Sequence, residues 1–124
     1  PHAENWTDAN TVAQAYELNN PMTAVVKENK GGKLATEYSL IKVDQDNVII
    51  ETVKKAEIGE ELIVRLYECY NKRANVVLTC GEKIADVVEC NLLEEDEQQV
   101  SYADHTVSFC IKPYEIKTLK IRLK

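Results

Sequence analysis

The residues that first suggest chemistry are carboxylates. Residues 92–99 read LLEEDEQQ, so four acidic side chains follow one another at positions 94–97. A general acid–base pair needs two carboxyl groups whose surroundings push their pKa values apart. No neighbouring feature of this run would raise the pKa of one member. We therefore interpret residues 92–99 as a solvated loop, and we assign no catalytic residue in the chain.

Metal ligation and disulfide bonding are the next candidate chemistries. The two histidines, His2 and His105, lie far apart and lack closely paired partners, so we predict no metal site in this chain. The cysteines show no CxxC spacing and each follows or lies in an apolar run, although they allow two disulfides in three pairings. We interpret them as reduced thiols, which favours a reducing, cytoplasmic location. They are Cys69, Cys80, Cys90 and Cys110.

A strand with an unusual second face gives the candidate site. The run ELIVRLYECYNKR covers residues 61–73, and period-two geometry places Leu62, Val64 and Leu66 on one face, toward the core. The other face carries Ile63, Arg65, Tyr67 and Cys69 in turn. One interpretation is a solvated face on which Arg65 pairs with a carboxylate. The other is a docking or site-lining face, with Arg65 and Tyr67 as interdomain or site-rim residues.

An Arg and Tyr combination resembles interface composition, which supports the docking interpretation. It also makes a prediction about stability. If Arg65 projects from the domain surface, replacing it with Ala should change the stability of the isolated chain by no more than about 0.5 kcal/mol.

The elements that must position these residues change character along the chain. Residues 7–20 predict one short helix that ends at Pro21, and residues 1–22 form a helical lead-in or linker. Residues 23–124 predict an all-β domain, an antiparallel β-sandwich of about eight or nine short strands. The predicted strands cover residues 23–26, 34–43, 48–54, 61–67, 75–79, 85–90, 100–102, 106–111 and 117–123.

Length and charge limit the classes of partner. A chain of 124 residues fits one domain of ordinary size. Its formal net charge of −6 provides no basic surplus for nucleic acid or an anionic membrane. No apolar run approaches the roughly 20 residues that cross a bilayer. The start at Pro1, without Met, favours a piece of a larger protein.

Five runs, in order and at the expected spacing, resemble the end of glycoside hydrolase family 38 α-mannosidases. They cover essentially the whole chain, and their order makes the resemblance specific where any one of them would be weak. The runs are AYELNNPM (15–22), NVIIETVKKAE (47–57), LIVRLYECYNKR (62–73), ECNLLEED (89–96) and IKPYEIKTLKIRL (111–123). The chain is similar to the C-terminal β-sandwich region of a bacterial-type α-mannosidase.

The resemblance implies an accessory, non-catalytic domain. In this family an N-terminal catalytic domain of the same polypeptide hydrolyses α-linked mannosides with retention, using zinc held by His and Asp and a nucleophilic Asp. The parent enzyme would thus use zinc, and this chain would hold no cofactor. The expected partners are that catalytic domain and, through it, the α-mannoside substrate. A docking surface left open also predicts self-association into a homo-oligomer.

Two other classes of function stay open. A free-standing carbohydrate-binding module would stack sugars on planar aromatic side chains, for which Tyr67 and Tyr70 are the only closely spaced tyrosines. A plain adhesive or structural sandwich would be secreted, which four apparently unpaired cysteines argue against.

Overall fold

The computed structural model describes residues 4–28 and 31–124, and the chain divides into two compact units, Pro1–Glu37 and Tyr38–Lys124. The predicted boundary between residues 22 and 23 stays a prediction. Helix α1, Thr11–Asn19, is shorter than the predicted span because residues 7–10 form turns. In these turns the Asn5 side chain accepts the backbone N–H groups of Thr7 and Asp8.

Two predicted strands were wrong or too long. Residues 23–26 form no strand, and residues 34–43 contribute only β1, Ile41–Val43. Strand β1 pairs with β4 from Val43↔Leu78 to Ile41↔Cys80. Beyond that point the backbone turns at Gly81, whose N–H bonds to the carbonyl of Leu40. In the part of the second unit that the structure describes, β1 therefore begins at Ile41.

The second unit forms two antiparallel sheets, which confirms the predicted all-β sandwich. One sheet has the order β1-β4-β8-β7 and the other β2-β3-β9-β5-β6. The nine strands found among the described residues are β1 Ile41–Val43, β2 Val48–Lys55, β3 Leu62–Glu68, β4 Ala74–Cys80, β5 Ile84–Cys90, β6 Gln98–Gln99, β7 Tyr102–Ala103, β8 Thr106–Ile111 and β9 Ile116–Leu123.

The predicted strand over residues 100–102 is replaced by two short pieces. β6 pairs with β5 in one sheet, and β7 pairs with β8 in the other. Residues 100 and 101 therefore carry the chain from one sheet to the other, and Val100 packs against the core as it crosses.

The core lies between the sheets and receives side chains from both. Leu78 and Val107 come from the four-stranded sheet, and Val64, Leu66 and Ile121 from the five-stranded one. Strand β9 departs from simple alternation only at Thr118, an outer-face residue that is buried; Lys117, which shares the core side with Leu119 and Ile121, is buried as well. Strand β9 is a central strand between β3 and β5, and Lys117 forms a 2.6 Å ion pair with Glu89. Within the described residues, no helix is long and apolar enough to span a membrane.

Candidate functional site

The candidate residues lie on the outer face of the five-stranded sheet, the side away from the core. Strand β3 presents Ile63, Arg65 and Tyr67 there, opposite in alternation to the core residues Val64 and Leu66. The strand register arranges this face in three cross-strand rows. They are Lys54–Ile63–Lys120, Thr52–Arg65–Thr118 and Ile49–Tyr67–Ile116. The last of these is called the open row below.

The loop between β5 and β6, residues 91–97, covers the first row, and we call it the acidic strap. Glu94 forms a 2.6 Å ion pair with Lys54, and Glu97 forms a 2.8 Å ion pair with Lys120. Both lysines neighbour Ile63, which is fully buried although it lies on the outer face. Lysine stems can cover apolar surface while their charged ends reach a partner. The acidic strap and the two lysines thus close this end of the face.

The acidic strap is built around Asn91. Its side-chain oxygen accepts the N–H groups of Leu93 and Glu95, and its amide donates to Asp96 at 2.8 Å. Such bonds from an Asn to its own following backbone stabilise turns. A further bond, 2.8 Å long, joins the Glu57 N–H to Glu94. The expectation of a wholly solvated loop was therefore wrong for Glu94, although its neighbours Glu95 and Asp96 are exposed.

Arg65 lies in the second row and contacts the same loop. Its Nη2 donates to the carbonyl of Leu92 at 3.3 Å, and the side chain is half-buried. Its Nε is buried and has no hydrogen-bond partner in the part of the chain that the structure describes. The interpretation that Arg65 pairs with a carboxylate is thus not what the structure shows: the recorded bond goes to a backbone carbonyl. Arg65 holds the acidic strap against β3.

The hydrogen bond of Glu94 to Lys54, followed by that from the Glu57 N–H, lowers the pKa of the Glu94 carboxyl. The Glu57 and Glu94 carboxylates in turn raise the pKa of Lys54. Each shift favours the charged form. The pKa of Glu94 is thus shifted away from the raised value that a general acid would require.

The open row is not covered by these strap contacts. Tyr67 and its neighbour Ile49 are half-buried, and Ile116 is 58% exposed. Directly opposed residues of antiparallel strands have Cβ atoms about 4.5–5.5 Å apart, so the three side chains adjoin. The row is an apolar and phenolic surface at the end of the face farthest from Ile63.

The end of the sandwich beside the open row is tied together by Glu68, a residue that the sequence analysis did not single out. Glu68 is only 1% exposed. Its carboxylate accepts hydrogen bonds from the Asn47 side-chain amide and from the N–H groups of Tyr70 and Tyr114 at 2.8–2.9 Å. These donors belong to three different turns. Burial alone would raise the pKa of Glu68, but hydrogen bonds from Tyr114, Asn47, Tyr70 and Lys72 outweigh it and lower the pKa. The one sequence signal for its burial is that Glu68 continues the period-two series of core residues Leu62, Val64 and Leu66.

A polar cleft with a volume of about 160 Å³ lies beside the first row and the acidic strap. Lys120 is bonded to Glu97 there, and Arg122 lies 3.6 Å from Asp86. Four of its five charged side chains are thus paired with each other. The residues lining it are Glu61, Asp86, Val88, Glu97, Lys120 and Arg122.

The described residues contain no group of three His, Cys, Asp or Glu side chains that could hold a metal ion. His105 bonds through Nδ1 to the carbonyl of Cys80 at 3.1 Å, and His2 lies outside the described residues. All four cysteines are free thiols, and only Cys110 is exposed. Burial raises the pKa of Cys69, Cys80 and Cys90, which keeps these thiols protonated.

The family model described as "Glycosyl hydrolases family 38 C-terminal beta sandwich domain" matches residues 47–119. That range begins before β2 and includes the acidic strap, Glu68 and every member of the three rows except Lys120. The chain belongs to this family. The resemblance inferred from the five sequence runs is therefore confirmed.

Relatives of this family 38 domain are far longer than the chain. Over 129 residues the chain is 27% identical to Alpha-mannosidase 2C1 of Homo sapiens. This alignment covers all of this chain and 12% of the human protein. Over 126 residues it is 28% identical to Alpha-mannosidase G of Dictyostelium discoideum, covering 97% of this chain and 11% of the relative. The chain thus spans about a tenth of the length of these relatives.

Proposed function

We propose that this family 38 domain is the accessory, non-catalytic β-sandwich of an α-mannosidase that hydrolyses α-linked mannosides with retention. The observation that carries the proposal is the family match over residues 47–119, together with alignment of the whole chain to about a tenth of proteins named alpha-mannosidases. The catalytic domain, elsewhere in the same polypeptide, would hold the zinc ion. This domain would pack against it and complete the enzyme.

Arg65 and Tyr67 have distinct places in this proposal. Arg65 bonds to the acidic strap, so it acts on an interdomain surface by fixing the loop beside it. Tyr67 lies in the open row, where its ring can meet another protein surface directly. Both therefore remain our candidates for interdomain or site-rim residues.

The thiols bear on location. Three buried cysteines with raised pKa values and one exposed free cysteine suit a reducing compartment, and we propose the cytoplasm. Thiol titration of the denatured, non-reduced protein should find four reactive groups. Finding none would count against this location.

Activity tests the accessory role. The full-length polypeptide should release p-nitrophenol from an aryl α-mannoside, and a chelator should abolish the release. The 124-residue chain alone should release none above a blank and should bind no stoichiometric zinc. Chelator-sensitive release by the chain alone would refute a non-catalytic role, and an inactive full-length polypeptide would refute the α-mannosidase assignment.

Self-association is a separate expectation. An apolar surface that docks on a catalytic domain is open in the chain alone, and such surfaces favour association. Sedimentation equilibrium of the chain should show concentration-dependent dimers. A monomer at every concentration would remove the homo-oligomer from the proposal.

A further inference from the structure

We propose that Tyr114 is a preset aromatic anchor through which the open row docks on the catalytic domain of the same polypeptide. This inference rests on the proposed function, since it names the surface by which the accessory domain meets its partner. It depends on backbone conformation, hydrogen bonding and exposure at the turn between β8 and β9.

Tyr114 has a backbone conformation that its residue type disfavours. It lies third in a turn of residues 112–115, closed by a 3.1 Å bond from the Glu115 N–H to the Lys112 carbonyl, and its φ is +56°. Proline at the second position and positive φ at the third follow the type II pattern, which favours Gly or Asn at the third position. A bulky residue with positive φ is held there at a cost by its surroundings, and such positions cluster at functional sites.

Hydrogen bonds on both sides of Tyr114 hold its backbone in this conformation. Its N–H donates to the buried Glu68 carboxylate at 2.9 Å, and the Glu115 carboxylate accepts the Lys112 N–H at 2.6 Å. Glu68 also accepts hydrogen bonds from the Asn47 side-chain amide and the Tyr70 N–H, which belong to two other turns. The backbone of Tyr114 is therefore fixed, whereas the residue itself is 61% exposed. A rigid backbone that presents an open tyrosine ring loses little conformational entropy when the ring is buried by a partner.

The neighbours of Tyr114 form a surface suited to protein contact. Ile116 follows two residues later, is 58% exposed, and lies opposite Tyr67 in the open row. Tyrosine is enriched among residues that dominate binding energy, and the centres of interfaces are depleted of charge. The rows nearer the acidic strap are already engaged by Glu94, Glu97 and Leu92. Ile116 and Tyr114, both more than half exposed, are thus the residues at this end of the domain that another protein surface can cover.

The occupant we assign is the rest of the polypeptide. The relatives of this domain have about nine-tenths of their length outside the aligned part, so a large protein surface accompanies the domain in each of them. A sugar is a poorer fit to the open row. Sugar hydroxyls need polar partners beside an aromatic ring, and the row's other members are isoleucines, Ile49 and Ile116.

Hydroxyl-radical footprinting of the full-length polypeptide tests the docking. Ile58, 85% exposed in the turn before β3, is a matched reference for Ile116 because both are exposed isoleucines of this domain. If the open row docks, Ile116 should be labelled about tenfold more slowly than Ile58. Comparable labelling of the two isoleucines would overturn the proposal.

Substitutions in the full-length polypeptide provide the second test. Tyr114→Gly relieves the strained backbone, so it should not by itself unfold the domain. We expect it to restore Ile116 labelling by about tenfold and to lower the melting temperature of the full-length polypeptide, with the matched variant Ile58→Thr changing neither. Tyr114→Phe, which keeps the ring, should behave as wild type. Unchanged labelling and melting in Tyr114→Gly would overturn the anchor role.

The outcomes separate this proposal from the proposed function. Slow Ile116 labelling in a polypeptide without mannosidase activity would support the anchor and refute the enzyme assignment. An active polypeptide in which Ile116 is labelled as fast as Ile58 would support the enzyme assignment and refute the anchor. Protection of Tyr114 only when mannose oligosaccharides are added would also overturn docking, and would assign the surface to sugar binding.

Discussion

The two ends of the outer face of the five-stranded sheet differ in how far they are covered by the domain itself. At one end, Ile63 is fully buried because two lysines and the acidic strap close over it. At the other end, Tyr67 and Ile116 form an apolar surface beside a strained, exposed Tyr114. Both ends belong to the same alternation along β3. The difference shows that a mixed strand face can be satisfied by the chain's own loop or left for a partner, and that position on the strand decides which.

Of the substitutions considered, removal of the Glu68 carboxylate should have the largest effect on stability. It would release the three turns that Glu68 joins at the end of the sandwich beside the open row. Glu68→Gln keeps the size but places amide hydrogens among backbone donors. We expect it to lower the free energy of unfolding of the chain by about 2–3 kcal/mol at pH 7, the range for a buried hydrogen-bonded charged group. Urea unfolding measures this, with the exposed Glu60→Gln as control. Equal stability of the two variants would contradict the role of Glu68.

The same carboxylate predicts a pH dependence. Its pKa in the folded chain is lowered from 4.5, so the unfolded chain binds a proton more readily as the pH falls. The stabilisation is therefore present above pH 4.5 and is lost as the pH falls through the lower, folded pKa. The difference in unfolding free energy between wild type and Glu68→Gln should shrink over that range. A constant difference down to pH 3 would contradict this assignment.

Arg65 tests the covered end with a smaller effect. Arg65→Met keeps most of the apolar stem and removes the bond to the Leu92 carbonyl. We expect a loss of about 1 kcal/mol in unfolding free energy, the usual net value of one hydrogen bond. This exceeds the limit expected for a plain surface residue. Arg122→Met, on an exposed arginine of β9, is the control. If both variants unfold at the same urea concentration as wild type, Arg65 does not hold the strap.

Glu94→Gln should loosen the acidic strap without unfolding the sheet. The substitution removes the ion pair with Lys54, and amide hydrogens of residues 91–97 should then exchange faster while those of β3 and β9 stay protected. High salt should change the wild-type exchange much less, because the Glu94 side chain is largely buried and partly buried ion pairs are only weakly screened. Glu95→Gln, at an exposed neighbour, serves as control. Unchanged exchange in Glu94→Gln would show that Asn91 and Arg65 hold the loop without it.

The smallest expected change has the opposite sign. Tyr114→Gly in the 124-residue chain should raise the unfolding free energy or leave it unchanged, within about 1 kcal/mol, because Gly adopts positive φ without strain. Thermal unfolding measures it, and Tyr114→Ala, which removes the ring but keeps a Cβ, should not share the gain. A loss of stability in the glycine variant would show that the ring packs within the domain, which would weaken its case as an anchor for a partner.

The sequence by itself determined the all-β class, most strands from β2 onward, the core face of β3 and the family. Alternation and turn residues are local signals, so strands such as Thr106–Ile111 were predicted to the residue. Segments without a partner strand could not be read this way. Residues 23–26 and 34–40 have strand-like composition but form no strand in the structure.

Only the tertiary structure decided what covers each side chain. From the sequence alone, the acidic residues at positions 94–97 are predicted to be solvated. In the structure the acidic strap folds back, and Glu94 forms an ion pair with Lys54, forty residues earlier in the chain. Glu68 gains its partners from three turns, the farthest of which lies 46 residues from it along the chain. Local pattern fixes the direction in which a side chain leaves its strand, whereas burial and pKa depend on segments that only chain folding brings together.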